Sequence, residues 1–193
     1  MKIKFIIIFI ALFFGVILNA QDNSSDLSKK FPNPPEGFTW KSLSEIKGYL
    51  LIPAGWYFNY EKEGDTHAYF FTKENYKITG QYITGVSINA VTNLKNINPK
   101  KYLKEYIKQL EQTVKIISKS KETKFGPFSQ YIIRCTVYSK KLKKNIKMHI
   151  VLIANLKTNC LYFIIFETLE ELWDINWQKG KVILRDIGIN NKF

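Results

Sequence analysis

Residues 128–167 hold three apolar runs separated by short polar links, and no other feature restricts the possible folds as much. The runs are FSQYIIRCTVY (128–138), IKMHIVLIAN (146–155) and CLYFIIFE (160–167), joined by SKKLKKN and LKTN. Links this short cannot carry a crossover, so the runs must be strands paired antiparallel with their neighbours. A strand with one wet face alternates apolar and polar residues. HIVLIA and LYFIIF are nearly continuous in apolar residues, which predicts central strands covered on both faces.

The rest of the chain supplies more strands and the covers. YLLIP (49–53), WYFNYE (56–61), HAYFFT (67–72) and YITGVSINAVTN (82–93) read as strands, with Val86, Ile88 and Ala90 turned inward. Pro53 and Gly55 bend the chain at a corner that Trp56 covers, EGD (63–65) is a turn, and KENYKITG (73–80) is a loop. A short helix is expected from Ser42, which forms a capping box with Glu45, to its end at Gly48. A longer one is expected over 98–117, with Asn98 as cap and Pro99 in the first turn. Its Leu103, Tyr106, Ile107, Leu110, Val114 and Ile117 recur at steps of three and four, which makes one apolar stripe. A last helix is expected from Thr168, capped with Glu171, with Gly180 as a close-packing point against the sheet. Helices on either side of such a sheet predict an α+β fold: an α/β/α sandwich with a central antiparallel sheet covered by helices on both faces.

The N-terminus has the layout of a secretory signal. MKIK is followed by the uncharged run FIIIFIALFFGVIL and by LNA, so residues 1–20 are expected to be removed after Ala20. The alternative is a retained anchor, but the run is shorter than the roughly 20 residues that span a bilayer. No cysteine stands near that site to take a lipid anchor. Residues 21–40 are expected to be a flexible leader and 41–193 a single domain, in a secreted or periplasmic protein. The net charge of +13 invites a nucleic-acid reading. Against it, 27 basic residues are lysine and only Arg134 and Arg185 are arginine, the residue favoured for bidentate phosphate contacts. Weak contact with an anionic membrane or polysaccharide surface stays open. Cys135 and Cys160, both on expected strands, are either a disulfide after export or two buried thiols.

LIPAGWYF, HAYFFTKE, YITGVSINAV and FETLEELWDINWQKGKVIL, taken in this order and spacing, resemble the PsbP-like family, which shares its fold with Mog1. The resemblance spans most of residues 45–190 and implies an antiparallel sheet between helical layers. Its photosynthetic members are extrinsic, non-enzymatic subunits on the lumenal side of photosystem II. That role does not carry over, because no metal-binding position of that group matches a residue here.

The chain has no G-x-S-x-G, no P-loop, no dinucleotide fingerprint and no cysteine with a histidine partner signal. Its two histidines are His67 and His149, and a catalytic zinc needs about three protein ligands. His67 with Asp65 and a neighbouring Glu61 or Glu63 would hold at most a loose cation; the competing reading is a surface histidine among solvated charges. His149 is expected to be packed or on the strand surface. Glu170, Glu171 and Asp174 suit a helix N-terminus. No cofactor, metal or catalytic group is therefore expected. Candidate ligand-binding residues are Trp56, Tyr57, Asp65, His67 and Tyr69. The expected function is that of an exported, non-catalytic binding or accessory protein, whose partner is another envelope protein. The alternative is a carrier of a small apolar or lipid ligand; a hydrolase is the least supported reading.

Overall fold

In the computed structural model, residues 31–94 and 97–189 are described. The expected signal peptide, 1–20, and residues 21–30 of the expected leader lie outside the described residues. In chain order the elements are β1 (Phe38–Leu43), β2 (Gly48–Pro53), β3 (Tyr57–Glu63), β4 (Thr66–Thr72), the single helical turn α1 (Tyr76–Thr79) and β5 (Gly85–Val91). They continue as α2 (Pro99–Thr113), β6 (Lys115–Lys119), β7 (Thr123–Phe125), β8 (Phe128–Ser139), β9 (Lys144–Asn155), β10 (Cys160–Leu169) and α3 (Trp173–Arg185). The architecture is α+β, a mostly antiparallel sheet with three helices.

The three apolar runs become β8, β9 and β10, antiparallel neighbours as their short links require. They are the centre of an eight-stranded sheet in the order β3-β4-β5-β10-β9-β8-β6, with β7 also on β8. The contact between β5 and β10 joins the N-terminal strands to this later meander. Alternate residues of β10 face opposite ways. Tyr162, Ile164 and Phe166 lie with Val86, Ile88, Tyr69 and Phe71 on one face, against Trp173 and Ile183 of α3 and Leu43, Ile46, Leu50 and Ile52 of the β1–β2 hairpin. Leu161 lies on the other face with Ile133, Ile150, Leu152 and Ala154, against Leu103 and Ile107 of α2. Cys160 belongs to the first cluster and Cys135 to the second, so the sheet separates two buried free thiols.

Local signals lose to sheet pairing at several places. The helix expected at 42–46 is strand up to Leu43, because Ser42 pairs with Tyr49; only a 3-10 turn, Ser44–Ile46, remains, and no side chain caps it. Within the expected leader, Phe38–Trp40 already belong to β1. The helix expected to reach 117 ends at Thr113. Val114 is extended and Lys115 and Ile116 pair with Thr136 and Cys135, so the β-branched run VKII finishes as an edge strand. Thr168 does not cap the last helix. It is buried in β10, where its hydroxyl lies 2.8 Å from that of Thr84 and accepts from Asn176 Nδ2 at 2.9 Å. This polar knot ties α3 to the sheet. Gly180 is the close-packing point that was expected: a Cβ there would sit 2.8 Å from the Phe166 ring.

Candidate functional site

The five residues expected to bind a ligand fall at three places. Gly55 (φ +78°) lets the chain turn after Pro53, whose carbonyl accepts from the Trp56 N–H at 3.2 Å, and the Trp56 side chain packs on the first core cluster. Tyr57 opens β3 and is 45% exposed. Asp65 lies in the turn at the far end of the same hairpin, about 20 Å along the strand, where its carbonyl accepts from the Thr92 N–H at 2.9 Å. His67 and Tyr69 project from β4 into the first face and are buried. The structure thus brings His67 and Tyr69 together with Tyr60, and leaves Asp65 and the Trp56–Tyr57 corner apart.

His67 is not the surface histidine weighed from sequence. It is only 8% exposed, and its Nδ1 lies 2.8 Å from the Tyr60 hydroxyl. Burial lowers its pKa first, and the nearby Lys62 lowers it further. Burial likewise pushes the Tyr69 phenol up. These are features of a neutral, packed group. Among the described residues no cluster of three or more His, Cys, Asp or Glu is placed to hold a metal ion.

A more open site lies elsewhere on the same face. α3 packs on β10 and β2 and reaches β9 through Trp177, while part of β8 stays uncovered, with Ile132 36% exposed. The gap is a cleft of about 570 Å3. Its floor is Gln130 and Ile132 of β8, His149, Val151 and Ile153 of β9, and Ile164 of β10. Its walls are Trp177, Lys181, Leu184 and Arg185 of α3 and the segment Ile187–Ile189, with Phe125 and Phe128 at the far rim. The C-terminal wall is held by backbone pairing: the Tyr49 and Gly188 N–H groups each donate to the other's carbonyl at 2.9 Å.

Next to this cleft, behind His149 and Trp177 of its lining, stand two more cations. Arg134 and Lys147 occupy diagonal positions on the β8–β9 pair, since Arg134 faces His149 and Thr136 faces Lys147. Arg134 Cζ stands 5.0 Å from the Trp177 ring centre and 5.5 Å from that of Trp173; Lys147 Nζ stands 5.0 Å from Trp173. The two indoles stack at 5.0 Å, and His149 lies 4.7 Å from Trp177. Burial, and then the Arg134 charge, pushes His149 down to about 4, so it is neutral at ordinary pH and its Nδ1 accepts a long, 3.4 Å contact from Arg134 Nη2. Arg185, further along the same α3 wall, is instead neutralised by a bidentate bond to Asp186 at 2.7 and 3.1 Å.

No family model matches the chain, and no curated protein matches it. Solved structures do. Cyanobacterial PsbP (CyanoP) from Synechocystis sp. PCC 6803 superposes with a TM-score of 0.50 at 10% identity, over 84% of this chain and 99% of that one. The fold is PsbP-like. The Ran-binding protein Mog1p of Saccharomyces cerevisiae aligns at a TM-score of 0.48 and 10% identity, over 79% of this chain and 95% of its own. LpqN of Mycobacterium tuberculosis, described as involved in cell envelope biogenesis, aligns at 0.45 and 14%, over 81% and 86%. At these identities the PsbP-like likeness speaks for the fold and leaves the site to its own chemistry.

Sequence reasoning missed this cleft and its cations. One usable signal was present. In a chain that uses lysine almost everywhere, Arg134 is one of two arginines and sits inside a strand. Guanidinium, weakly hydrated and planar, suits a half-buried place on an aromatic ring better than ammonium does.

Proposed function

We propose that the chain is an exported, non-catalytic binding protein that works as an accessory subunit through contacts with another protein of the cell envelope. In this reading the PsbP-like fold is an α/β/α sandwich, with α2 on one face and α3 on the other. The binding surface is the gap that α3 leaves over β8. One observation supports it above all: an open cleft with a mostly aliphatic floor lies over the edge of the first core cluster, whose Val151, Ile153 and Ile164 line it. Such concave, mostly apolar surfaces with a few polar groups are where proteins bind. No helix among the described residues is long and apolar enough to cross a membrane.

The test is cross-linked capture from the host envelope with the full chain as bait, beside Ile132→Lys, which puts a charge on the cleft floor. A partner held by the natural chain and lost with Ile132→Lys supports the reading. A partner held equally by both places the contact elsewhere and overturns this assignment of the surface. A second reading, carriage of a small apolar or lipid ligand, is favoured by the predominantly aliphatic lining and the cations beside it. It predicts a lipid co-purifying with the chain, detected by native mass spectrometry.

A further inference from the structure

We propose that Arg134, Lys147, Trp173 and Trp177 form the head-group end of a site for a single-chain amphiphile with an anionic head, whose chain lies in the cleft between α3 and β8–β9. The inference deepens the carrier reading and rests on the cleft being a ligand site.

The charges carry the argument. Arg134 and Lys147 approach one indole, that of Trp173, at 5.5 and 5.0 Å. They are also diagonal neighbours on the β8–β9 pair, and like charges on neighbouring positions of one face repel. Proteins normally place a carboxylate between them, yet among the described residues no ion pair reaches either one. The nearby Glu170 and Glu171 are used by Asn145 and Lys144. Arg134 Nε is buried and has no hydrogen-bond partner. Stacking on two rings holds the guanidinium in place, but it satisfies neither that donor nor the repulsion. An oxyanion seated between the two side chains would offset the repulsion and accept from the outer guanidinium N–H groups.

The cleft says what the oxyanion is attached to. His149 and Trp177, the two groups that touch Arg134 on this side, also line the cleft. Beyond them the floor continues as Ile132, Val151, Ile153 and Ile164, with Gln130 as its polar member. The two cations thus stand beside a lining in which aliphatic side chains predominate and Lys181 and Arg185 are the charged members. A free phosphate would leave the aliphatic floor unused, and a neutral chain would leave the cations unmatched. The volume of about 570 Å3 falls in the range that takes small ligands.

The test is titration of the full chain, followed by tryptophan emission, with dodecyl phosphate, dodecanoate, dodecanol and inorganic phosphate, each below any micellar concentration. Dodecyl phosphate or dodecanoate should bind and perturb Trp173 and Trp177, with dodecanol at least about tenfold weaker, the factor a single charge-assisted contact supplies. The tighter of the two anions names the head group. Lys147→Gln should weaken both anions about tenfold and leave dodecanol unchanged. Arg134→Gln should do the same, and Lys147→Gln decides the matter if that variant does not fold. Ile132→Trp, which fills the cleft, should weaken the chain-bearing ligands and spare inorganic phosphate. Dodecanol binding as tightly as dodecyl phosphate would overturn the anion site while leaving the carrier reading standing. Inorganic phosphate binding as tightly as dodecyl phosphate would overturn the amphiphile. If none of the four binds, both the inference and the carrier reading fail.

Discussion

His149 links the chemistry of the cleft to stability. Its folded pKa, about 4, lies below the usual 6.5, from burial first and the Arg134 charge second. The folded state thus binds fewer protons than the unfolded chain between these values. The neutral ring's contribution is complete above pH 6.5 and is lost as pH falls toward 4. His149→Phe should flatten that part of a curve of denaturation midpoint against pH; a natural chain whose midpoint does not move between pH 6.5 and 4 would contradict the assignment. Glu122 acts in a different window. Hydrogen bonds from Lys100 and Ser129 hold its carboxyl at about 2 against an ordinary 4.5, so its share is complete above 4.5 and lost as pH falls toward 2, a lower window than that of His149 on the same curve. None of this was legible in the sequence, where His149 stood alone among apolar residues. Its perturbers come from across the β8–β9 pair and from α3.

At the scale of elements, periodicity held where a segment's own stripe decided its packing, and failed where a neighbour offered better pairing. α2 is the first case. Asn98 Oδ1 accepts the Lys101 N–H at 3.0 Å, Pro99 starts the helix, and Leu103 and Ile107 are buried in the α2–sheet cluster. Asn98→Ala should cost about 1 kcal/mol, read as a lower urea midpoint with an unchanged slope; no change would mean that the cap is redundant. The end of the same helix is the second case. Nothing in KII distinguishes a fifth helical turn from an edge strand until β8 presents its free edge at Thr136 and Cys135. Both S/T-x-x-E boxes fail alike, since Ser42 and Thr168 are already held in strands, and a residue in a ladder cannot also take the N-cap geometry.

Over the whole molecule, two core clusters lie on opposite faces of one sheet, and they are expected to act independently. Ile107→Val on the α2 face and Ile183→Val on the α3 face should each cost about 0.5–1.5 kcal/mol. The double variant should cost their sum within about 0.5 kcal/mol. A larger coupling in equilibrium denaturation would mean that the two faces communicate through the sheet. The three apolar runs, their antiparallel order, the N-terminus of α2 and the tight place at Gly180 all follow from residue types and spacing, because hydrophobic period and link length act locally. Tertiary structure alone decided that β5 pairs with β10, that the 38–43 segment is strand, that Asp65 lies far from Trp56, and that Arg134 and Lys147 both lie against Trp173. The physical reason is the same each time. These are meetings between segments distant in the chain, selected by which edges and faces remain open once the central strands have paired, and no local pattern encodes that.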